Sequence, residues 1–279
     1  MPTFDVEVPE GPLSILVVGA HIDDCELTFG GTALRYIQLG HDVTFVSMTN
    51  GEAGHHEIGG LELTRRRQAE AHAAAQVAGL NYEFLDAHEG ELRPTIENRN
   101  KIIQLIREVK PDIVFTHRPS DYHPDHCYTS DLVQDSAYMV TVPAICRDTS
   151  HLDYNPVVMY LPDDFQKPTP LDPDVVVPID DVVETKPDML HCHESQMYEW
   201  LPYNVGTLDE VPDGDHKRRE WLAEQRIPDF AALADRFRDR LVEEYGPERG
   251  EDMQYAEAFE HYEYGGKLTT ENRPVLFPF

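Results

Sequence analysis

Two short polar segments, about a hundred residues apart, carry side chains that can bind a metal ion and activate water. The segment GAHIDDCE, residues 19–26, places one histidine and three carboxylates directly after the apolar run LSILVV. The segment HPDH, residues 123–126, places two histidines three positions apart. A catalytic zinc site takes three nitrogen or oxygen ligands from the protein and leaves a fourth position open. Together the two segments hold enough donors of the right kind for such a site.

Spacing alone allows a set of two histidines and one carboxylate to be drawn from these segments. His21 and Asp24 lie three apart at a strand–helix junction and can face one point. His123 and His126 can lie on one face of the first turn of a helix. Such a set leaves a carboxylate and a histidine to act on a metal-bound water. The competing interpretation is that these are surface-loop residues and helix N-caps, for which Asp is a common choice.

The remaining polar residues near these segments have structural alternatives. The free carboxylate is Asp23 or Glu26, and Glu26 also fits a plain first-turn residue of a helix. Cys25 lies between the carboxylates and is either a ligand for a soft metal or a small buried residue. His55 and His56, in the glycine-rich loop NGEAGHHEIGG, are expected to be exposed.

Two other kinds of site do not fit the first segment. The dinucleotide fingerprint G-x-G-x-x-G is absent, and Asp23 and Asp24 would repel a pyrophosphate. The serine nucleophile elbow G-x-S-x-G is also missing.

The elements that must position these residues alternate between strands and helices. Apolar runs predict strands at 13–20, 42–49, 82–86 and 112–117, and apolar spacing of three and four predicts helices at 27–40, 61–79, 96–112 and about 125–140. Such alternation is typical of a parallel sheet with helices on both faces. We therefore expect an α/β, Rossmann-like three-layer α/β/α fold. Both polar segments would then leave strands at the carboxyl edge of the sheet, where ligands bind.

The second half of the chain is less regular. It predicts strands at 156–161 and 175–179, a helix within 180–200 that is kinked by Pro187 or starts there, an amphipathic helix at 229–246 and a last strand or helix at 253–266. We expect one domain over residues 1–279, with a core at about 12–200 and a C-terminal elaboration at about 201–279.

Composition limits the possible partners and compartments. The formal net charge is −29, from 52 acidic and 23 basic residues among 279. This charge disfavours nucleic acid and stable association with an anionic membrane, because both need a cationic face. The four cysteines form no CxxC pair, and residues 1–12 have neither the basic nor the apolar region of a signal peptide. We expect a cytoplasmic protein without disulfides.

The paired motifs resemble those of the PIG-L/LmbE-like de-N-acetylases. AHIDDCE is similar to the family motif AHxDDxE, with isoleucine at the usual proline position, and HPDH is similar to the second motif. TNGEAG, RRRQAE and HCHESQ also resemble family members. The resemblance covers most of the chain and implies a zinc-dependent hydrolase that removes an N-acetyl or N-acyl group from an amino-sugar conjugate.

The resemblance implies a role for five residues. His21, Asp24 and His126 match the zinc ligands. Asp23 matches the general base that activates the metal-bound water. His123, in its protonated form, matches the histidine that stabilises the tetrahedral oxyanion and protonates the leaving amine.

Other positions are implied more loosely. Arg67 and His193 match residues near the substrate, although Arg67 and Glu70 also fit a structural ion pair, and His193 fits a polar helix surface. Asp125 either orients a ligating histidine or caps a helix.

Zinc is the expected cofactor, and Fe²⁺ or Co²⁺ also suits a nitrogen and oxygen site. The expected partner is a small amino-sugar substrate, and homo-oligomerisation is open. Alternatives are an amidase for a larger thiol-sugar or acylated natural-product conjugate, and a catalytically silent sugar-binding protein.

Overall fold

The structure is a computed structural model that describes residues 11–279. The expectation that residues 1–12 are not a signal peptide concerns a segment of which only residues 11 and 12 lie within this range. The strands, in chain order, are β1 (Ser14–Gly19), β2 (Asp42–Thr49), β3 (Asn81–Ala87), β4 (Ile113–Thr116), β5 (Val157–Tyr160), β6 (Val175–Pro178) and β7 (Ala256–Tyr262).

The helices follow the strands in the first half of the chain and cluster in the second half. They are α1 (Asp24–Gln38), α2 (Gly60–Ala78), α3 (Ile96–Val109), α4 (Pro124–Ala137), α5 (Lys186–His191), α6 (Leu201–Val205), α7 (Asp215–Arg236), α8 (Arg238–Tyr245), α9 (Pro247–Asp252) and α10 (Arg273–Leu276). A π-helical turn, Ser195–Trp200, precedes α6. None of the helices within residues 11–279 combines the length and apolarity needed to cross a bilayer.

The strands form one sheet in the order β3-β2-β1-β4-β5-β7-β6. Pairing is parallel from β3 through β5, and β7 runs antiparallel to both β5 and β6. The mostly parallel α/β sheet expected from the sequence is therefore confirmed. Because β1 lies between β2 and β4, the loops that follow β1 and β4 are neighbours at the carboxyl edge, where the strand order reverses.

Strand β1 is buried on both faces of the sheet, which explains its unbroken apolar sequence. Ile15 and Val17 enter the core beneath α1 and α2, whereas Leu16 and Val18 enter the core beneath α3 and α4. These two cores on opposite faces of one sheet make the three layers.

A buried ion pair fixes helix α1 against strand β7. Glu257 accepts hydrogen bonds from the backbone N–H groups of Gly31 and Thr32 at 2.9 and 2.8 Å. Lys186 Nζ donates to the same carboxylate at 2.6 Å. A Cβ on Gly31 would lie 2.8 Å from Ile179 Cγ2, so only glycine allows this close approach.

The C-terminal region contributes a strand to the sheet and residues to the core. Strand β7 lies between β5 and β6. Leu276 and Phe277 are buried in the core that α1 also contributes to, and Tyr36 donates a hydrogen bond to the carbonyl of Leu276 at 2.6 Å. The segment predicted as a last strand or helix is a strand.

Helix α1 begins earlier than the sequence predicts, and the start of α5 decides between the two alternatives for Pro187. Helix α1 begins at Asp24 rather than at about residue 27, so the first motif supplies its first turn. Helix α5 begins at Lys186, so Pro187 marks a helix start, where its missing N–H leaves no bond unmade.

The predicted helix at 229–246 is longer and divided. Helix α7 begins at Asp215, runs through Pro228, and is separated from α8 at Phe237. The first half of α7 was missed because it is strongly charged, with only Leu222 and Ala223 buried before Pro228.

Candidate metal centre and active site

The two polar segments meet at the carboxyl edge of the sheet, after β1 and β4. Three of the predicted residues, His21, Asp24 and His126, bring their donor atoms together. His21 Nδ1 lies 3.1 Å from His126 Nε2. The two carboxylate oxygens of Asp24 lie 3.6 Å from His21 Nδ1 and 3.5 Å from His126 Nε2.

This geometry fits a four-coordinate divalent cation. Bonds of about 2.0–2.1 Å place neighbouring tetrahedral donors about 3.3 Å apart, and the three observed separations lie around that value. All three residues are buried, and each is 8% exposed. Lone pairs of buried donors facing one another repel unless a cation or proton lies between them, so the donor set matches a metal centre.

The second ring nitrogen of each histidine faces a carboxylate. His21 Nε2 lies 3.3 Å from Asp125 Oδ2, which also accepts the N–H of Gly90 at 2.7 Å. His126 Nδ1 lies 3.1 Å from Asp121 Oδ1. Such carboxylates fix the orientation of an imidazole and make its other nitrogen a better ligand. The carboxylate of Asp125 therefore has the geometry of a group that orients a ligating histidine.

The carboxylate of Asp24 is held by the loop that it follows. Its Oδ2 accepts hydrogen bonds from the N–H groups of Ala20 and His21 at 2.9 and 2.7 Å. His117 Nε2 lies 3.1 Å from the same oxygen. A Cβ on Gly19 would lie 2.9 Å from Asp24 Cβ, so glycine at the end of β1 lets the loop close.

Charges in the cluster favour an ionised Asp24. Burial opposes its charged form, but His126 and His117 outweigh burial and hold the pKa of Asp24 well below its usual range. Burial also lowers the pKa of His126, but Asp24 and Asp121 outweigh it and raise that pKa to about 10. Burial and the neighbouring His126 lower the pKa of His117, whose ring stacks on His126 at 4.1 Å.

Asp23 lies beside the donor set in a strained backbone conformation. Its φ of 150° is rare for a residue other than glycine. Asp23 is also buried, with 4% of its surface exposed. Burial and the adjacent carboxylate of Asp24 raise the pKa of Asp23 to about 7. A carboxyl group with this pKa suits both acceptance and return of a proton near neutral pH.

His123 is the N-cap residue of α4 and offers one ring nitrogen to the site. Its Nδ1 accepts the N–H of Asp125 at 3.1 Å, so in the neutral ring the proton is on Nε2. Burial and the neighbouring His21 lower the pKa of His123. The structure therefore favours a neutral imidazole with an N–H donor, rather than the protonated ring that the sequence argument assumed.

Arg67, which the family resemblance implies lies near substrate, is fully buried. It donates to the carbonyl of Gly51 at 3.3 Å and pairs with Glu89 at 3.0 Å. The suggested Arg67–Glu70 pair is wrong, because Glu70 pairs with Arg66 at 3.0 Å instead. Arg67 holds the loop after β2 to the loop after β3.

His193 is also fully buried, and its partner is Glu26. His193 Nε2 lies 2.8 Å from Glu26 Oε1, and neither residue is exposed. Glu26 is thus in the first turn of α1 but outside the donor set. The Cys25 thiol points into the core, 3.6 Å from the carbonyl of Val17, and takes no part in the cluster.

The two histidines of the loop after β2 are less exposed than expected. The side chain of His55 is 3% exposed and its Nε2 lies 2.8 Å from Glu199. The ring of His56 stacks on Tyr203 at 4.2 Å.

Sequence reasoning missed His117 and Asp121 as individual residues. Both lie in the segment THRPSDYHPDHCY, whose richness in histidine and carboxylates was the available signal. His117 directly follows β4, beside the loop that follows β1, so strand adjacency could have singled it out.

Comparisons with known proteins connect this site to a family. Residues 16–137 match the PIG-L family, described as GlcNAc-PI de-N-acetylase. The diacetylchitobiose deacetylase of Thermococcus kodakarensis is 30% identical over 200 residues, which cover 68% of this chain and 74% of that protein. The 4-oxalmesaconate hydratase of Pseudomonas putida is 25% identical over 200 residues, covering 68% and 76% of the two chains.

A solved structure shares the fold. The N,N'-diacetylchitobiose deacetylase of Pyrococcus horikoshii, complexed with its inhibitor MPG, superposes with a TM-score of 0.69 at 22% identity, covering 94% of this chain and 88% of that one. The matched region of the PIG-L family spans both polar segments that form the donor set. This chain belongs to the PIG-L family of de-N-acetylases.

Proposed function

We propose that this protein is a metal-dependent hydrolase that removes the N-acetyl group from an amino-sugar conjugate. One observation carries the proposal: a buried set of two histidines and one carboxylate, flanked by Asp23 and His123. Membership of a deacetylase family and similarity to a diacetylchitobiose deacetylase support an amino-sugar amide as the substrate.

His21, Asp24 and His126 would hold the cation. Zinc suits two imidazoles and one carboxylate, and Fe²⁺ or Co²⁺ fits the same donors. A divalent cation bound there supplies a Lewis acid for the amide carbonyl and lowers the pKa of a water.

Asp23 moves the proton that hydrolysis requires. As a carboxylate it accepts a proton from the attacking water, whose oxygen forms the new bond to the amide carbon. It then returns that proton to the amine nitrogen as the carbon–nitrogen bond breaks, so acetate and a free amine leave. The raised pKa of Asp23 supports both halves of this exchange.

His123 stabilises the developing charge on the carbonyl oxygen. Its Nε2–H is available because Nδ1 is occupied by the N–H of Asp125. A neutral imidazole with a fixed tautomer donates a hydrogen bond to an oxyanion without first needing a proton.

The experiment described next also distinguishes three other functions. The first two are hydrolysis of a larger thiol-sugar or acylated conjugate, and sugar binding without turnover. The third is addition of water to a carbon–carbon double bond, which the similarity to 4-oxalmesaconate hydratase brings into consideration. The intact Asp23 and His123 beside the donor set favour turnover over a silent binding role.

The deciding experiment measures acetate release by protein loaded with zinc, Fe²⁺ or Co²⁺. Its substrates are N-acetylglucosamine, N,N'-diacetylchitobiose and longer N-acyl glucosamine conjugates, and a parallel assay measures 4-oxalmesaconate hydration. We expect release of acetate from N-acetyl sugars that is abolished by a chelator and restored by metal. Hydration without amide cleavage, or metal binding without any turnover, would overturn the proposal.

A further inference from the structure

The chain carries a large surplus of negative charge that the chemistry above does not use. The formal net charge is −29, and the basic residues are 17 arginines and only 6 lysines. The candidate active site accounts for a few of the 52 acidic residues. The other carboxylates must therefore be explained by what they do to the folded molecule and to its surroundings.

Arginines on the surface are shared between carboxylates. Arg66 pairs with Glu70, Glu194 and Glu199 at 3.0, 3.9 and 2.6 Å, and Arg240 also pairs with two carboxylates. A guanidinium group has five N–H donors in a fixed fork, so it can hold several carboxylates, whereas an ammonium group is a compact point charge. Negative charge is thus in surplus even beside the basic groups, and arginine suits this surface better than lysine.

Other carboxylates are exposed on both faces of the sheet without a basic partner. Glu108 of α3 and Asp135 of α4 lie on the face whose core contains Ile102 and Leu132, and Glu224 of α7 lies on the opposite face. None of these three carboxylates forms an ion pair within residues 11–279. The surplus charge therefore surrounds the molecule instead of marking one face for a cationic partner.

Some of these carboxylates lie close to one another. Asp131 and Asp135 are four residues apart on α4, and Glu220 and Glu224 repeat this spacing on α7, so each pair shares one face of its helix. Burial and the charge of Asp135 raise the pKa of Asp131. Repulsion between such groups opposes the compact state, because the unfolded chain holds the same charges farther apart.

Dissolved salt weakens this repulsion more than it weakens the interactions inside the fold. The Debye length is about 10 Å at 0.1 M salt and about 3 Å at 1 M salt. Side chains one helical turn apart are separated by about 5–6 Å, so molar salt screens them and 0.1 M salt does not. Buried pairs such as Lys186–Glu257 are screened much less. Molar salt therefore shifts the balance towards the folded state.

We propose that the fold of this protein depends on molar concentrations of salt, because its surplus carboxylates need dissolved cations as their counter-charge. Monovalent cations fit this role, since the carboxylates are spread over the whole surface and offer no single site. This inference goes beyond the proposed hydrolysis and does not rest on it. Failure of one therefore leaves the other standing.

The first test follows thermal unfolding at neutral pH by differential scanning calorimetry in 0.1, 1 and 2 M KCl. We expect the melting temperature to rise by at least about 10 °C, with most of the rise between 0.1 and 1 M. Sucrose in 0.1 M KCl is the control, because it is excluded from protein surfaces but does not screen charge. A melting temperature that does not respond to KCl, or that sucrose raises equally, would overturn the proposal.

The second test compares two triple variants that each remove three negative charges. The first removes carboxylates without an ion pair, by Glu108→Gln, Asp135→Asn and Glu224→Gln. The matched control removes side chains that are 79–83% exposed and pair with Lys101, Arg240 and Arg238, by Asp86→Asn, Asp172→Asn and Asp235→Asn.

The first variant should melt about 2–4 °C above the wild type in 0.1 M KCl and close to it in 2 M KCl. The control variant should gain nothing in 0.1 M KCl, because it loses attraction as well as repulsion. If the first variant gained no stability in 0.1 M KCl, or if the control gained as much, unpaired carboxylates would not be the source of the salt dependence.

Discussion

At the scale of single residues, Asp23 combines a strained backbone conformation with a carboxyl group whose pKa is raised. A non-glycine residue at φ 150° costs stability, and this cost persists only where the surrounding structure over-determines the conformation. The strained position is adjacent in sequence to a proposed ligand, so the strain lies where the proposed proton transfer occurs. Asparagine tolerates unusual backbone angles and matches aspartate in size, which makes Asp23→Asn a clean removal of the proton acceptor.

Asp23→Asn should lower kcat for amide hydrolysis by about 10²–10⁴-fold, because general-base catalysis contributes roughly that much. Zinc content by elemental analysis should stay at the wild-type level, since the donor atoms are on other residues. Near-normal turnover in a variant with full metal content would refute the assignment of Asp23 as the base.

Asp125 acts, in this interpretation, through His21 rather than on substrate. Asp125→Asn keeps the shape but weakens the acceptor 3.3 Å from His21 Nε2. We expect zinc affinity to fall about 10–100-fold, as is typical for loss of such a partner, and excess zinc to restore part of the activity. Competition with a chromophoric chelator measures the affinity, and wild-type affinity in the variant would contradict the role.

The sequence revealed the proposed ligands and Asp125 beside His21, but it missed His117 and Asp121. His21, Asp24 and His126 lie within two short motifs with recognisable spacing. His117 and Asp121 become visible only through their neighbours in space, because His117 contacts Asp24 across adjacent strands. The family resemblance implies that Arg67 lies near substrate, and the structure adds that it is fully buried and pairs with Glu89.

At the scale of elements, helix α1 is held at its first turn and at its middle by buried charged groups. Its first turn carries Glu26, which meets His193 from the segment before the π-helical turn. Its middle donates backbone N–H groups to Glu257 of β7. These contacts fix the helix whose N-terminus supplies Asp24.

Removing His193 alone should destabilise the fold strongly. His193→Ala leaves the Glu26 carboxylate buried without its partner, and breaking a buried pair in this way costs about 3–5 kcal/mol. The double variant His193→Ala with Glu26→Gln removes the uncompensated charge and should recover part of the loss. Urea denaturation measures both, and equal losses in the single and double variants would show that the charge pair is not the cause.

The bounds of strands and helices could be predicted where apolar residues follow a regular spacing. The prediction failed where charged residues dominate the sequence of a helix. Strands β1 and β2 and helix α2 agree with the sequence within one or two residues. The first half of α7 was missed because few of its residues are buried.

At the scale of the whole molecule, the proposed metal centre joins two halves of the sheet. Its donors come from the loop after β1 and from the start of α4 beyond β4, so bound metal cross-links segments about a hundred residues apart. A ligand that binds only the folded state stabilises it according to its concentration and affinity.

Zinc should therefore raise the melting temperature of chelator-treated protein. Zinc at a free concentration a hundred times its dissociation constant gives about 2.7 kcal/mol, or a shift of about 5 °C for a chain of 279 residues. Magnesium is the matched control, because it prefers oxygen ligands and should produce no comparable shift. Differential scanning calorimetry decides the matter, and identical melting with and without zinc would argue against the centre.

The overall topology could be only partly anticipated from the sequence. Alternating strands and helices predict a parallel sheet, but they do not reveal that β7 enters between β5 and β6. The Lys186–Glu257 pair that accompanies this insertion joins residues 71 positions apart, and no local pattern encodes it.

The reversal of strand order beside β1 also affects when the proposed donor set can form during synthesis of the chain. His21 and Asp24 emerge from the ribosome early, but His126 follows only after the chain has passed through β2, β3 and β4. A nascent chain therefore cannot complete the proposed donor set until β4 has paired with β1. In the proposed centre, capture of the cation would therefore follow assembly of the centre of the sheet.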